Sequence, residues 1–323
     1  MKLNLIWVLL LALMTSSCQS NSDEQNNNSD KETSQSTMKP DPDNAGLDLA
    51  EGMAAKKVAE DLGKARHIVA RDNGDVYVAL RQMKNGGGTV AMRDTTGDGV
   101  MDIKTYFGNL SGTGIDIRNG YLYRSTTTEV YRYQLKDDQL VPESNPETII
   151  TGFPEERQHA AKAFTFDDQG NIYVDVGAPS NACMEQMRTK GSPGQDPCPL
   201  LEKYASIWQF KADKTGQQHT NGNKYVKGLR HVVALDWNHR ENDLYLVQHG
   251  RDQLRQFFPD LYTEKENAEL PAEEFHKAEE GANLGWPYCY YDQRQGKKVL
   301  GPEYGGDGEK IGRCDQYQDP LIG

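Results

Sequence analysis

Four stretches of the chain repeat one plan: ARDNGDVYVAL at 70–80, DIRNGYLYRST at 116–126, FDDQGNIYVDV at 166–176 and NHRENDLYLVQ at 238–248. Each sets a polar turn of Asp, Asn or Gly before an alternating strand with an aromatic near its start. A turn of that chemistry followed by period-2 alternation marks a hairpin entering a half-buried strand. The anchoring residues Tyr77, Tyr123, Tyr173 and Tyr245 are separated by 46, 50 and 72 residues. Strand-rich repeats of about 40 to 50 residues are the mark of propeller blades, so an all-β propeller is expected. A sandwich with accidentally similar hairpins is the alternative. The long third interval holds Cys183 and Cys198 and reads as a disulfide-pinned excursion within a blade. Helix has one good candidate, PAEEFHKAEEGANLG, with a start near Pro271 and a stop at Gly281.

The ends and the charge set the setting. Lys2 precedes an apolar run from Leu3 to Met14, and Thr15, Ser16 and Ser17 precede Cys18. This reads as a secretory signal, too short for a comfortable membrane span. A cysteine directly after small residues resembles a bacterial lipobox, with Thr15 where Leu or Val is usual. The resemblance implies that Cys18 becomes the lipidated first residue of an exported protein, anchored to a membrane at the periplasm or cell surface. A plain cleaved signal with an incidental Cys is the alternative. Residues 19–45 are almost free of large apolar side chains and are expected to form a disordered tether to a domain spanning 46–323. With 36 Lys and Arg against 48 Asp and Glu, a net charge of −12 and no basic stripe, a nucleic-acid partner is excluded.

Of five cysteines, four remain after Cys18. In an exported domain they suggest two disulfides, with the sequence-adjacent pairs Cys183–Cys198 and Cys289–Cys314 favoured among three connectivities. A zinc site is the weaker reading, since neither pair has C-x-x-C spacing. In RDTTGDGVMDIK, Asp94, Thr96, Asp98 and Asp102 surround Gly99 with the spacing of the first half of a calcium loop, but Thr105 stands where the bidentate Glu belongs. Such a site would be structural; an Asp/Gly-rich turn is the equal alternative.

Three segments in order carry a family resemblance: HAAKAFTFDDQGNIYVDVGAPSNAC at 159–183, YVKGLRHVVALDWNHRENDLYLVQHGRDQL at 225–254 and EEGANLGWPYCYYD at 279–292. Together they resemble the sorbosone dehydrogenase family, related to soluble glucose and aldose sugar dehydrogenases. The resemblance implies a six-bladed β-propeller holding pyrroloquinoline quinone (PQQ) and calcium, acting on a sugar and passing electrons to an external acceptor. The family continues past the point where CDQYQDPLIG ends this chain, so a propeller incomplete at its C-terminus is expected. His159 matches the family's catalytic base, a task suited to a side chain neutral near pH 7. A loop histidine bonded to neighbouring backbone is the plainer reading. Arg230 matches an arginine beside the quinone, where a planar guanidinium suits carboxylate or carbonyl oxygen. His231 stands where the related enzymes have Asn. Trp286 matches a loop near the cofactor mouth, and a core tryptophan reads equally well. Gly250 and Arg251 match a turn whose carbonyls ligate calcium. Two other classes stay open: a metal-dependent propeller hydrolase of the lactonase kind, and a carbohydrate-binding surface lipoprotein without chemistry.

Overall fold

In all four repeats the polar turn joins two strands, and the alternating stretch is the second strand of a sheet. The computed structural model describes residues 38–323; the export signal, Cys18 and residues 19–37 lie outside the described residues. Blade 1 is the antiparallel meander β1 (Ala65–Ala70), β2 (Val76–Lys84), β3 (Gly87–Arg93) and β4 (Ile103–Phe107). Blade 2 comprises β5 (Ile115–Arg118), β6 (Tyr121–Ser125), β7 (Val130–Gln134) and β8 (Glu147–Thr151). Blade 3 is built from β9 (Phe164–Phe166), β10 (Asn171–Val176), β11 (Ser206–Lys211) and, after the short β12 (Gln217–Gln218) that pairs in parallel with β8, β13 (Asn223–Lys227). Blade 4 has three strands, β14 (Val232–Asn238), β15 (Asp243–Gln248) and β16 (Glu274–Ala278), and a hairpin of β17 (Cys289–Asp292) and β18 (Lys297–Leu300) follows.

The arrangement is a β-propeller, but the described residues form four blades and one hairpin, which corrects the expectation of six. Part of the chain lies outside these sheets, in the excursion between β10 and β11 and in the segment between β15 and β16 that carries two short helices, α1 (Leu254–Phe257) and α2 (Glu264–Glu269). Residues 38–45, the end of the expected tether, are hydrogen-bonded to the domain, with Asp41 N–H donating to Ala55 O at 2.9 Å and Asp41 Oδ2 accepting from Lys57 N–H at 2.8 Å.

The repeated tyrosines explain why the blades stack. Tyr77 packs with Phe107, Ile115, Leu122 and Tyr131 across the blade 1–blade 2 contact. Tyr123 meets Phe166 edge-on at 4.8 Å across the next contact, and Tyr173 stacks on Trp237 at 5.1 Å across the third. Each fully buried aromatic of this kind stabilises its contact by about 2 kcal/mol. Tyr245 faces no further four-stranded sheet among the described residues. It is half-buried, stacked on Phe275 at 5.7 Å, and its hydroxyl donates to Glu241.

The expected helix from Pro271 is instead strand β16. Its pattern alternates, with Glu274, His276 and Ala278 buried, and it pairs antiparallel with β15 from Leu244↔Ala278 to Gln248↔Glu274. Sheet pairing at long range overrides the helix-forming composition of this stretch. Buried Glu274 is held by Lys298 Nζ at 2.9 Å, His276 Nε2 at 2.9 Å and Gln248 Nε2 at 3.0 Å. Helix α2 begins with a capping box in which Thr263 and Glu266 satisfy each other's backbone N–H groups. Both expected disulfides, Cys183–Cys198 and Cys289–Cys314, are formed.

Candidate functional site

Connections between successive blades converge on one cavity of about 860 Å³. His159 reaches it from the link between β8 and β9, Arg230 and His231 from the link between β13 and β14, and Gly250, Arg251 and Asp252 from the chain after β15. Five residues singled out in the sequence, His159, Arg230, His231, Gly250 and Arg251, thus come from three distant segments to one wall. Loops at one mouth of a rigid sheet scaffold are where ligand chemistry concentrates.

His159 has a left-handed backbone, φ 51°, a conformation that a non-glycine residue adopts at some cost. Its ring is fixed by a short hydrogen bond from Nδ1 to Ala178 O. A carbonyl can only accept, so Nδ1 carries the proton and Nε2 holds the free lone pair. Burial, with the charge of Arg230 second, pushes its pKa down to about 4. The imidazole is thus neutral and proton-accepting across the physiological range. The plainer expectation, a loop histidine bonded to nearby backbone, describes this contact, and that bond sets the tautomer.

The His231 ring stacks on that of His159, centroids 4.9 Å apart and 16° from parallel. Behind it, Nδ1 lies 2.9 Å from Oδ2 of fully buried Asp175. The contact is close but too poorly aligned for a hydrogen bond, so neither Asp175 oxygen nor His231 Nδ1 has a hydrogen-bond partner among the described residues. Gly177, just past β10, is required here: a Cβ would sit 2.5 Å from His231 Nδ1 and 2.9 Å from His159 Cβ. Lys162 is buried behind the wall, where it donates to Ala160 O at 3.0 Å and burial lowers its pKa to about 8.

Arg230 is almost fully buried and is aimed by Asn181 Oδ1 at 3.1 Å and Asp252 Oδ2 at 3.2 Å. Trp286 does not line the cavity. It packs with both disulfides in a separate cluster, and its indole N–H donates to Asn181 O at 2.9 Å, so it touches the site through the residue that aims Arg230. The Arg251 guanidinium is turned away into a buried pair with Glu303 at 2.7 Å. The carbonyls of Gly250 and Arg251 accept no hydrogen bond from the described residues. Gly250 itself is packed so tightly that a Cβ would meet Ala272 O at 2.4 Å.

The second calcium candidate is not part of this cavity's lining and reads as a turn. Asp94 accepts from the backbone N–H groups of Thr96, Gly97 and Gly99, Asp102 accepts from Thr95 N–H and Oγ1, and Asp98 from Val100 N–H. Those oxygens are engaged by the loop's own backbone, and no group of three or more His, Cys, Asp or Glu among the described residues could hold a metal ion.

PQQ and calcium fit the donor set at the cavity. A buried guanidinium suits a carboxylate or quinone oxygen, two unengaged carbonyls suit a hard cation, and the volume admits a flat tricycle beside a monosaccharide. Sequence reasoning missed several wall residues: Arg66, Arg81 and Arg157 on the lining, and Asn181, Lys162 and Asp175 behind it. Asp175 left one signal, a charge at a buried position of NIYVDV. The arginines left none, because exposed arginines are ordinary surface residues until a fold gathers them.

A family model described as TrAA12-like matches residues 47–299. Solved structures share the fold at low identity. The iodide structure of the Trichoderma reesei carbohydrate-active enzyme family AA12 aligns with TM-score 0.65 and 17% identity over 82% of this chain and 68% of that one. The holo form of the pyranose dehydrogenase PQQ domain from Coprinopsis cinerea gives 0.62 and 15% over 81% and 66%. The PQQ-bound aldose sugar dehydrogenase from Streptomyces coelicolor gives 0.51 and 16% over 83% and 70%. No curated protein matches the chain in sequence.

Proposed function

This chain belongs to the TrAA12-like family, and from that premise we propose that it is a PQQ- and calcium-dependent sugar oxidoreductase, acting on a hydroxyl of an aldose or related hemiacetal. The observation that carries the reading is His159: a neutral imidazole, tautomer fixed by Ala178 O, on the wall of a cavity that also presents Arg230 and the Gly250 and Arg251 carbonyls. When bound, PQQ supplies the two-electron acceptor for hydride, and calcium polarises its carbonyl.

The chain's own residues would do the rest. His159 Nε2 takes the hydroxyl proton as the carbon loses hydride, and the Nδ1–H bond to Ala178 O keeps the resulting imidazolium in place. Arg230, aimed by Asn181 and Asp252, binds a carboxylate or quinone oxygen. The Gly250 and Arg251 carbonyls hold the cation. His231, in place of the related enzymes' Asn, offers an aromatic face and a nitrogen rather than an amide, so contact with the quinone there differs in kind.

Reconstitution tests the reading. The purified chain is titrated with PQQ in excess calcium, tryptophan fluorescence reports binding, and reduction of an artificial dye is followed with a panel of aldoses. We expect saturable binding, sugar-dependent reduction, and loss of both on chelation of calcium. Lactone hydrolysis without quinone would point to the hydrolase class, sugar binding without reduction to the binding class, and either would end the proposal.

A further inference from the structure

We infer that the cavity is built for a sugar that carries an anionic substituent, a carboxylate or a sulfate ester, held by Arg66 and Arg81 on the blade 1 side. This rests on the sugar-oxidising reading of the same cavity and names its substrate class.

The argument starts from charge. The chain carries a net charge of −12, yet this wall gathers Arg66, Arg81, Arg157 and Arg230. Of the three carboxylates on the wall, Asp252 takes Arg230 at 3.2 Å, Glu273 takes His249 at 2.9 Å, and Glu156 accepts from the neutral Tyr204 hydroxyl at 2.6 Å, so none of them pairs with Arg66 or Arg81. Arg66, Arg81 and Arg157, by contrast, make no side-chain hydrogen bond or ion pair among the described residues. The cavity therefore holds two blade 1 guanidiniums that no carboxylate contacts, and a basic cleft on an acidic protein concentrates anions there.

Topology separates this surplus from the cofactor's anchor. Arg230 and the Gly250–Arg251 turn belong to the blade 3 and blade 4 side, while Arg66 lies on β1 and Arg81 on β2 of blade 1. His159 enters from the link between blades 2 and 3, between the two in the order of the blades. Beside Arg66 and Arg81 the wall is hydroxylic, with Ser111, Thr113, Thr126 and Thr127. Thr113 is 7% exposed and its Oγ1 has no hydrogen-bond partner, an orphan that a ligand oxygen would satisfy. A hydroxylic wall with two unpaired guanidiniums matches a polyol bearing an anion, since planar forked donors suit carboxylate and sulfate oxygens.

Calorimetric titration of the cofactor-free full chain with D-glucuronate, D-glucose 6-sulfate and D-glucose tests this. We expect at least one anionic sugar to bind about tenfold or more tightly than glucose, with an affinity that falls as salt is raised. In Arg66→Ala/Arg81→Ala that advantage should vanish, while PQQ affinity, read by fluorescence, stays within about twofold of the parent. Both side chains are exposed, and an unchanged thermal midpoint will certify the fold. Equal affinity for glucose and both anionic sugars would overturn the inference. So would a double variant that loses PQQ affinity, because the arginines would then serve the cofactor. If PQQ fails to bind at all while the anionic preference persists and depends on both arginines, the oxidoreductase reading falls and the anionic sugar site stands.

Discussion

The two ring nitrogens of His159 have different duties because one backbone carbonyl decides which carries the proton. Burial acts on His219 as well: it packs against Trp208 at 4.4 Å and Phe153 at 5.1 Å, and burial lowers its pKa from 6.5 to about 4. A histidine whose pKa falls on folding takes its proton more readily when unfolded. Its contribution is whole above pH 6.5 and is lost as pH falls through the folded value. For His219 the loss between pH 6.5 and 4 should approach about 3 kcal/mol. Urea midpoints should drop from pH 7 to pH 4.5 in the parent and drop less in His219→Phe, where the loss belonging to His159 persists; equal drops would remove this account. At this scale the sequence disclosed His159, Arg230 and the Gly250 turn, because their segments match known patterns. Thr113 and Arg66 stayed hidden, because their meaning comes from which residues share the cavity with them.

At the scale of elements, the second strand of each blade was legible, since β2, β6, β10 and β15 each follow a polar turn and alternate. Strand β16 was not legible: EEFHKAEE is rich in helix formers, and only its pairing with β15 makes it extended. The blade number was also out of reach, because a period gives the size of a repeat but not how much chain its insertions absorb. The excursion between β10 and β11 is the largest of these. It carries Asn181, which aims Arg230, and it is closed by Cys183–Cys198 at a separation of 15 residues. In the chain-entropy model a loop of that length is worth about 3 kcal/mol. Cys183→Ser/Cys198→Ser should therefore unfold at clearly lower urea concentration than the parent without reductant. An unmoved midpoint would show that the aromatic cluster around Trp286 holds the excursion without the bond.

The whole molecule joins an acidic exterior to a cavity with an arginine surplus, at the mouth where the blade connections meet. The stacking of blades through Tyr77, Tyr123 and Tyr173 brings His159 and Arg230 to one wall although 70 residues separate them in the chain. The proposed function gives that convergence a chemical purpose: a neutral base that would serve sugar oxidation with PQQ bound. Turnover of PQQ- and calcium-loaded His159→Ala, beside the parent with the same sugar, measures it most directly. The account predicts a rate lower by about 10² to 10⁴, the usual range for losing a general base, with PQQ affinity nearly unchanged. A loaded variant that oxidises its sugar at the parent rate would contradict it.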